Sequence, residues 1–145
     1  MNIDQLLSKH SSNYRFHGVQ AETLEALVAQ ADGAIQLWGS DHDEHIDNQD
    51  GEFESEYVQG QGFLYTTTIN DIEMSYQEFI GDSGLVLVLE KVADEPFEVV
   101  HPSDRRQRII KVEDWKVIGG LRPVLDEDQE VVDQEVVSLD ELLEM

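Results

Sequence analysis

Leu85-Val86-Leu87-Val88-Leu89-Glu90-Lys91-Val92 is the stretch that decides the fold, and Gly81-Asp82-Ser83-Gly84 stands before it as a turn signal. Its apolar core, Leu85 to Leu89, is the longest in the chain and far short of the roughly 20 residues a membrane-spanning helix needs. A short apolar run bounded by turn residues reads as a strand buried on both faces. The sheet it belongs to must therefore be covered on both sides.

On the N-terminal side, the vocabulary from Tyr57 is β-branched and aromatic. Phe63-Leu64-Tyr65-Thr66-Thr67-Thr68-Ile69, Asn70-Asp71 and Ile72-Glu73-Met74-Ser75-Tyr76 read as two strands around a two-residue turn. Tyr65 and Thr67 then share a face opposite Leu64, Thr66 and Thr68. Further back, Leu24, Leu27, Val28 and Ala31 recur at helical spacing and predict an amphipathic helix over 21–31, ended by Asp32-Gly33. Ile3, Leu6 and Leu7 predict a shorter helix over 3–10, and Ala34 to Trp38 a short strand.

On the C-terminal side, Phe97 to Val100, Arg108 to Val112 and Trp115 to Ile118 read as strands, with Gly119-Gly120 and Pro123 as breaks. Ser138 and Glu141 make a capping-box pattern for a terminal helix. Val132, Val136, Leu139 and Leu143 would extend that helix backwards on one face. The expected class is α+β: N-terminal helices, an antiparallel sheet of about five to seven strands, and a short C-terminal helix. Residues 1–125 read as an acidic α+β domain, and 126–145 as an acidic segment of the same domain ending in the short helix.

The chain has 145 residues, 32 acidic and 9 basic, for a net charge of -23; it has five histidines and no cysteine. With 40% hydrophobic residues it is too apolar for a disordered acidic tail. Zero cysteines exclude disulfides and thiolate chemistry. By blocks, residues 1–30 sum to -1, 31–60 to -9, 61–90 to -5, 91–120 to 0 and 121–145 to -8. Such a field opposes direct binding to nucleic acid or to an anionic membrane. With no basic-then-apolar leader at Met1 to Leu7, a cytoplasmic protein is expected.

Several short patterns carry chemistry elsewhere. Gly81-Asp82-Ser83-Gly84 resembles the sequence around the nucleophile of trypsin-like serine proteases, but the following Gly-Pro is missing and no histidine stands in a matching upstream context. Asp41-His42-Asp43-Glu44-His45-Ile46-Asp47 places two histidines among carboxylates, without a third, distant metal ligand. Asn48 to Glu54 resembles the middle of an EF-hand calcium loop, yet Ile46 and Tyr57 fall where the anchoring carboxylates belong. These read as turns and solvated acidic loops, so neither a metal nor a cofactor is expected. The basic cluster Arg105, Arg106, Arg108 and Lys111 reads as pairing with the chain's own carboxylates.

No histidine, serine or carboxylate spacing names a reaction, so binding is the expected work rather than catalysis. The expected function is an acidic protein-binding module, an inhibitor or nucleic-acid mimic that occludes a basic groove on a nuclease, defence effector or toxin. The expected partner is a basic protein that itself handles nucleic acid. Its contacts are Asp41, Asp43, Glu44, Asp47, Asp50, Glu52, Glu54 and Glu56, with Asp126, Glu127, Asp128 and Glu130 as a second patch. The alternative is a small housekeeping or ligand-binding protein whose acidity serves solubility or a saline setting, with a pocket between the sheet and the 21–31 helix.

Overall fold

A computed structural model describes residues 13–31, 35–40, 57–59, 62–72, 76, 80, 84–101, 104–128 and 130–144. In chain order these form β1 (Tyr14–Val19), α1 (Ala21–Ala29), β2 (Trp38–Ser40), β3 (Tyr57–Gln59), β4 (Phe63–Thr67), β5 (Leu85–Lys91), β6 (Glu98–Val100), β7 (Gln107–Lys111), β8 (Trp115–Leu125), β9 (Val131–Ser138) and α2 (Leu139–Leu143). The strands join in one antiparallel sheet in the order β3-β2-β4-β1-β5-β8-β9, with β7 also pairing β4 and β6 pairing β7.

The apolar run behaves as its composition demands. Leu85, Leu87 and Leu89 of β5 pack on one face with Leu24 and Leu27 of α1, Ile110, Trp115 and Val137. Val86 and Val88 pack on the other with Phe16, Ile72, Tyr76, Ile80 and Leu121. Both faces are thus closed to water, and β5 is buried from Leu85 through Leu89. β1 alternates in the same way: Val19 lies in the first cluster and Phe16 in the second.

Four expectations are corrected. First, the fold has a sheet with helices, but N-terminal helices in the plural are not found. Among the described residues only α1 precedes β2, and a strand, β1, comes before it; the 3–10 segment lies outside the described residues. Second, 63–76 is not a hairpin. β4 ends at Thr67, a 3₁₀ turn follows at Ile69–Asp71, and β4 pairs instead with β7 from Phe63↔Lys111 to Thr67↔Gln107. Ile72 and Tyr76 have helical backbone and are buried together with Ile80. Their spacing of four residues is the helical period, and it prevails over the β-prone composition.

Third, β8 runs unbroken through Gly119-Gly120 and Pro123. Gly120 lies so close to its neighbours that a Cβ there would sit 3.0 Å from Leu85 Cδ1 and 3.3 Å from Val86 O, so the glycine marks close approach within a strand. A register shift between Val88 and Leu89 takes up the irregularity. β5 pairs with β8 only as far as Leu121, so Pro123 has just β9 beside it and its missing N–H costs no bond to β5. Fourth, Val132 and Val136 are not on a helix. They belong to β9, which returns along β8 from Leu125↔Val131 to Gly119↔Ser138. The terminal helix is confined to α2, where Ser138 Oγ accepts the Glu141 N–H at 3.2 Å and Leu142 is fully buried.

Candidate functional site

The two acidic patches fall on hairpin connections. Ser40 pairs with Tyr57, so residues 41–56, with Asp41, Asp43, Glu44, Asp47, Asp50, Glu52, Glu54 and Glu56, form the connection between β2 and β3. Those residues lie outside the described part of the chain, as do the His42/His45 group, the EF-hand-like stretch and Ser83. The second patch forms the β8–β9 turn. Asp126 Oδ1 accepts the N–H groups of Asp128 and Glu130, each at 2.9 Å, and Asp126 N donates to Glu130 O at 3.0 Å. Asp126 is therefore occupied in holding the turn, which leaves Glu127, Asp128 and Glu130 exposed at its tip.

Four of the basic residues between the patches, Arg106, Arg108, Lys111 and Lys116, have partners within the molecule. Arg106 and Asp104 meet at 2.9 Å and 3.0 Å, and the guanidinium beside Asp104 holds its carboxyl down at about 2. Lys111 Nζ lies over the rings of Phe97 and Phe63, at 5.2 Å and 5.7 Å. Arg108 donates to the carbonyl of Arg105 at 2.6 Å and stands 4.0 Å from Glu98.

A feature absent from the sequence reading is a seam in the sheet. β1 is registered with β5 along its whole length, but with β4 only at Phe16↔Thr67. Side chains of β1 cross between the halves. Arg15 of β1 is buried and forms a two-pronged pair with Glu98 of β6, at 2.6 Å and 2.8 Å. His17 Nδ1 donates to Tyr65 O of β4 at 2.7 Å, which fixes the proton on Nδ1 and leaves Nε2 as an acceptor. A cavity of about 170 Å³ opens there, lined by Phe16, His17 and Gly18 of β1, Tyr65 to Thr67 of β4, and Gln107 of β7. His101, almost fully buried, packs its ring edge-on to Tyr65 with centroids 5.4 Å apart.

Loss of hydration lowers the His17 pKa from 6.5, outweighing the Tyr65 carbonyl that favours the charged ring. The unfolded chain then takes up a proton near 6.5 while the folded chain does not, so stability falls as pH drops below that value. The expected result is that the native chain loses stability relative to a His17→Leu variant between pH 7 and pH 5, in urea titrations at fixed ionic strength. Parallel pH profiles for the two proteins would show that His17 is not held neutral.

A second, larger cavity of about 290 Å³ lies beside the first core cluster, between the segment Ile35 to Leu37 and the residues Leu89, Val112, Trp115 and Val117. Glu113 and Lys116 also line it. Among the described residues no group of three or more His, Asp or Glu side chains is placed to hold a metal ion, and no helix is long and apolar enough to cross a membrane. The chain matches no protein family, no curated protein and no solved structure. Its own charge and geometry supply an exposed acidic turn and two cavities.

Proposed function

We propose that the protein is an acidic binding module that occupies a basic groove on a partner, acting as an inhibitor or nucleic-acid mimic against a protein that handles nucleic acid. The observation that carries this reading is where the charge sits. The most acidic stretches are the connections of two β-hairpins, and at the β8–β9 turn Glu127, Asp128 and Glu130 are exposed. At the β8–β9 turn the Asp126 carboxylate braces the backbone, so Glu127, Asp128 and Glu130 are presented at low conformational cost, and the long-range field of the acidic stretches speeds the encounter. The chain's own cations are largely engaged close at hand, so they do little to neutralise the tips.

The test is capture of partners at low salt, followed by elution with a salt gradient and by competing duplex DNA. A basic nucleic-acid-handling protein released by both is expected. Replacing the carboxylates of both patches with Asn and Gln is expected to weaken that capture by about tenfold or more, because several screened charge contacts act together. Unchanged retention of the neutralised protein at low salt would overturn the proposal.

The 290 Å³ cavity favours a second reading, a small-molecule carrier or sensor whose acidity serves solubility. Under it, neutralising the patches leaves the protein's binding unaltered, and a small apolar ligand raises its thermal midpoint.

A further inference from the structure

The outer edge of β9 carries a second observation about that partner. β9 is registered with β8 from Val131 to Ser138, and no other strand among the described residues pairs with it. In an antiparallel edge strand, alternate residues turn their N–H and C=O groups away from the neighbour, which makes a template for another strand. The devices that blunt such an edge are charged side chains, proline, bulges and a covering element, and here the charges are all acidic, which repel an acidic strand but attract a basic one. β9 contains neither lysine nor proline, and Val132, Asp133, Glu135 and Ser138 are exposed.

Three of the five large hydrophobic residues exposed on the described surface, Val124, Leu125 and Val132, sit at the tip end of this hairpin, and Val132 is 61% exposed. The ladder slips by one residue there, with Val124↔Asp133 followed by Leu125↔Val131, so Val132 is the extra residue of a bulge. The regular edge is therefore residues 133–138. From Val124 to the C-terminus there is no Lys, Arg or His, whereas Glu127, Asp128, Glu130, Asp133 and Glu135 are all exposed. Two copies pairing along this edge would set carboxylates against carboxylates. A strand bearing lysine or arginine meets the opposite situation.

We infer that the edge of β9 is a docking site for an extended basic segment of a partner protein, which adds to the sheet along residues 133–138 next to the exposed Val132. This rests on the acidic-module reading and gives it a mode: main-chain hydrogen bonds hold the strand, and the carboxylates select its charge.

The probe is an acetylated, amidated peptide of alternating lysine and valine, eight residues long, titrated into the intact protein and followed by amide hydrogen exchange. Binding with new protection at residues 133–138 is expected. A peptide of the same charge with alternate backbone nitrogens methylated is expected to bind at least about tenfold more weakly, since it cannot complete the ladder. Equal binding of the two peptides would overturn strand addition while leaving the acidic-module reading standing. The variant Asp133→Lys with Glu135→Lys, altered only at exposed positions, is expected to lose the lysine–valine peptide and to gain a glutamate–valine one. An unaltered preference in that variant would overturn the assignment to β9. If the free protein instead dimerises in sedimentation and protects the same amides, the edge serves a second copy and the inference fails. No binding of either basic peptide also refutes it, whereas the capture experiment above decides the acidic-module reading separately.

Discussion

Gly84→Ala is expected to destabilise the fold by about 3 kcal/mol, because a Cβ at this position has no space that the surrounding structure can yield cheaply. It would lie 2.1 Å from the carbonyl oxygen of Val19 and 2.3 Å from that of Ile80, with Gln20 Cα at 3.0 Å. All three are backbone atoms, so no side chain can rotate out of the way. Val19 is also paired with Leu85, the first residue of β5, and Gly84 N donates to Ile80 O at 3.0 Å. Moving either carbonyl therefore disturbs the start of the strand that both core clusters share. Gly120→Ala is the matched control. There the closest atom is a leucine methyl at 3.0 Å, which can shift, and the expected loss is about 1 kcal/mol. Urea unfolding of the two variants checks the ranking, and equal losses would show that the β1–β5 junction tolerates a side chain.

Removing Glu98 is the second large effect. In Glu98→Ala the Arg15 guanidinium keeps its bond to Tyr14 O at 2.7 Å and its position 5.3 Å from the centre of the Trp115 ring, but it loses both carboxylate contacts while remaining buried. Breaking a fully buried pair costs about 3–5 kcal/mol, and the partial exposure of Glu98 lowers the expected loss to about 2–3 kcal/mol. Replacing both partners, with Arg15→Met and Glu98→Leu, is expected to recover most of that loss, since the buried guanidinium is removed together with its carboxylate. The comparison is Lys116→Gln, which removes an exposed pair with Glu90 at 3.4 Å and is expected to cost at most about 1 kcal/mol. Thermal and urea denaturation of the four proteins would settle the ordering. A double replacement as damaging as Glu98→Ala alone would mean that Arg15 is held by its packing and not by its charge partner.

The acidic module and the β9 docking edge place different demands on the fold. The module needs hairpins that present carboxylates. The edge needs a regular strand, and β8 pairs with β9 in unbroken register from Asp133 to Ser138. Pro123 on β8 faces Gln134 on β9, and Tyr76 donates a hydrogen bond to Gln134 from the second core cluster, so the middle of the edge strand is tied to the core. Because the carboxylates around the edge are exposed, their influence on binding should weaken as salt is added, whereas the main-chain bonds of an added strand should be little affected.

Local patterns by themselves determined several features of this protein. The double-faced burial of Leu85 to Leu89, the helix containing Leu24 and Leu27, and the cap of Ser138 on the last helix all follow from neighbours within a few residues, where periodicity and capping chemistry act directly. The charge asymmetry is likewise a property of composition and position. Tertiary structure decided whatever depends on distant partners. β4 joins β7 across some forty residues rather than its chain neighbour, and β8 runs through Gly119-Gly120, with β5 and Leu142 pressed against Gly120. The valines of 131–137 form a strand because β8 lies beside them, so a helical spacing of apolar residues there had no face to bury. His17 was passed over because its acceptor, Tyr65 O, belongs to another strand and its lowered pKa arises from burial, which no local spacing records. The edge of β9, which no other strand among the described residues joins, is not legible in the sequence for the same reason: an edge is set by which strands pair, and pairing is a property of the assembled sheet.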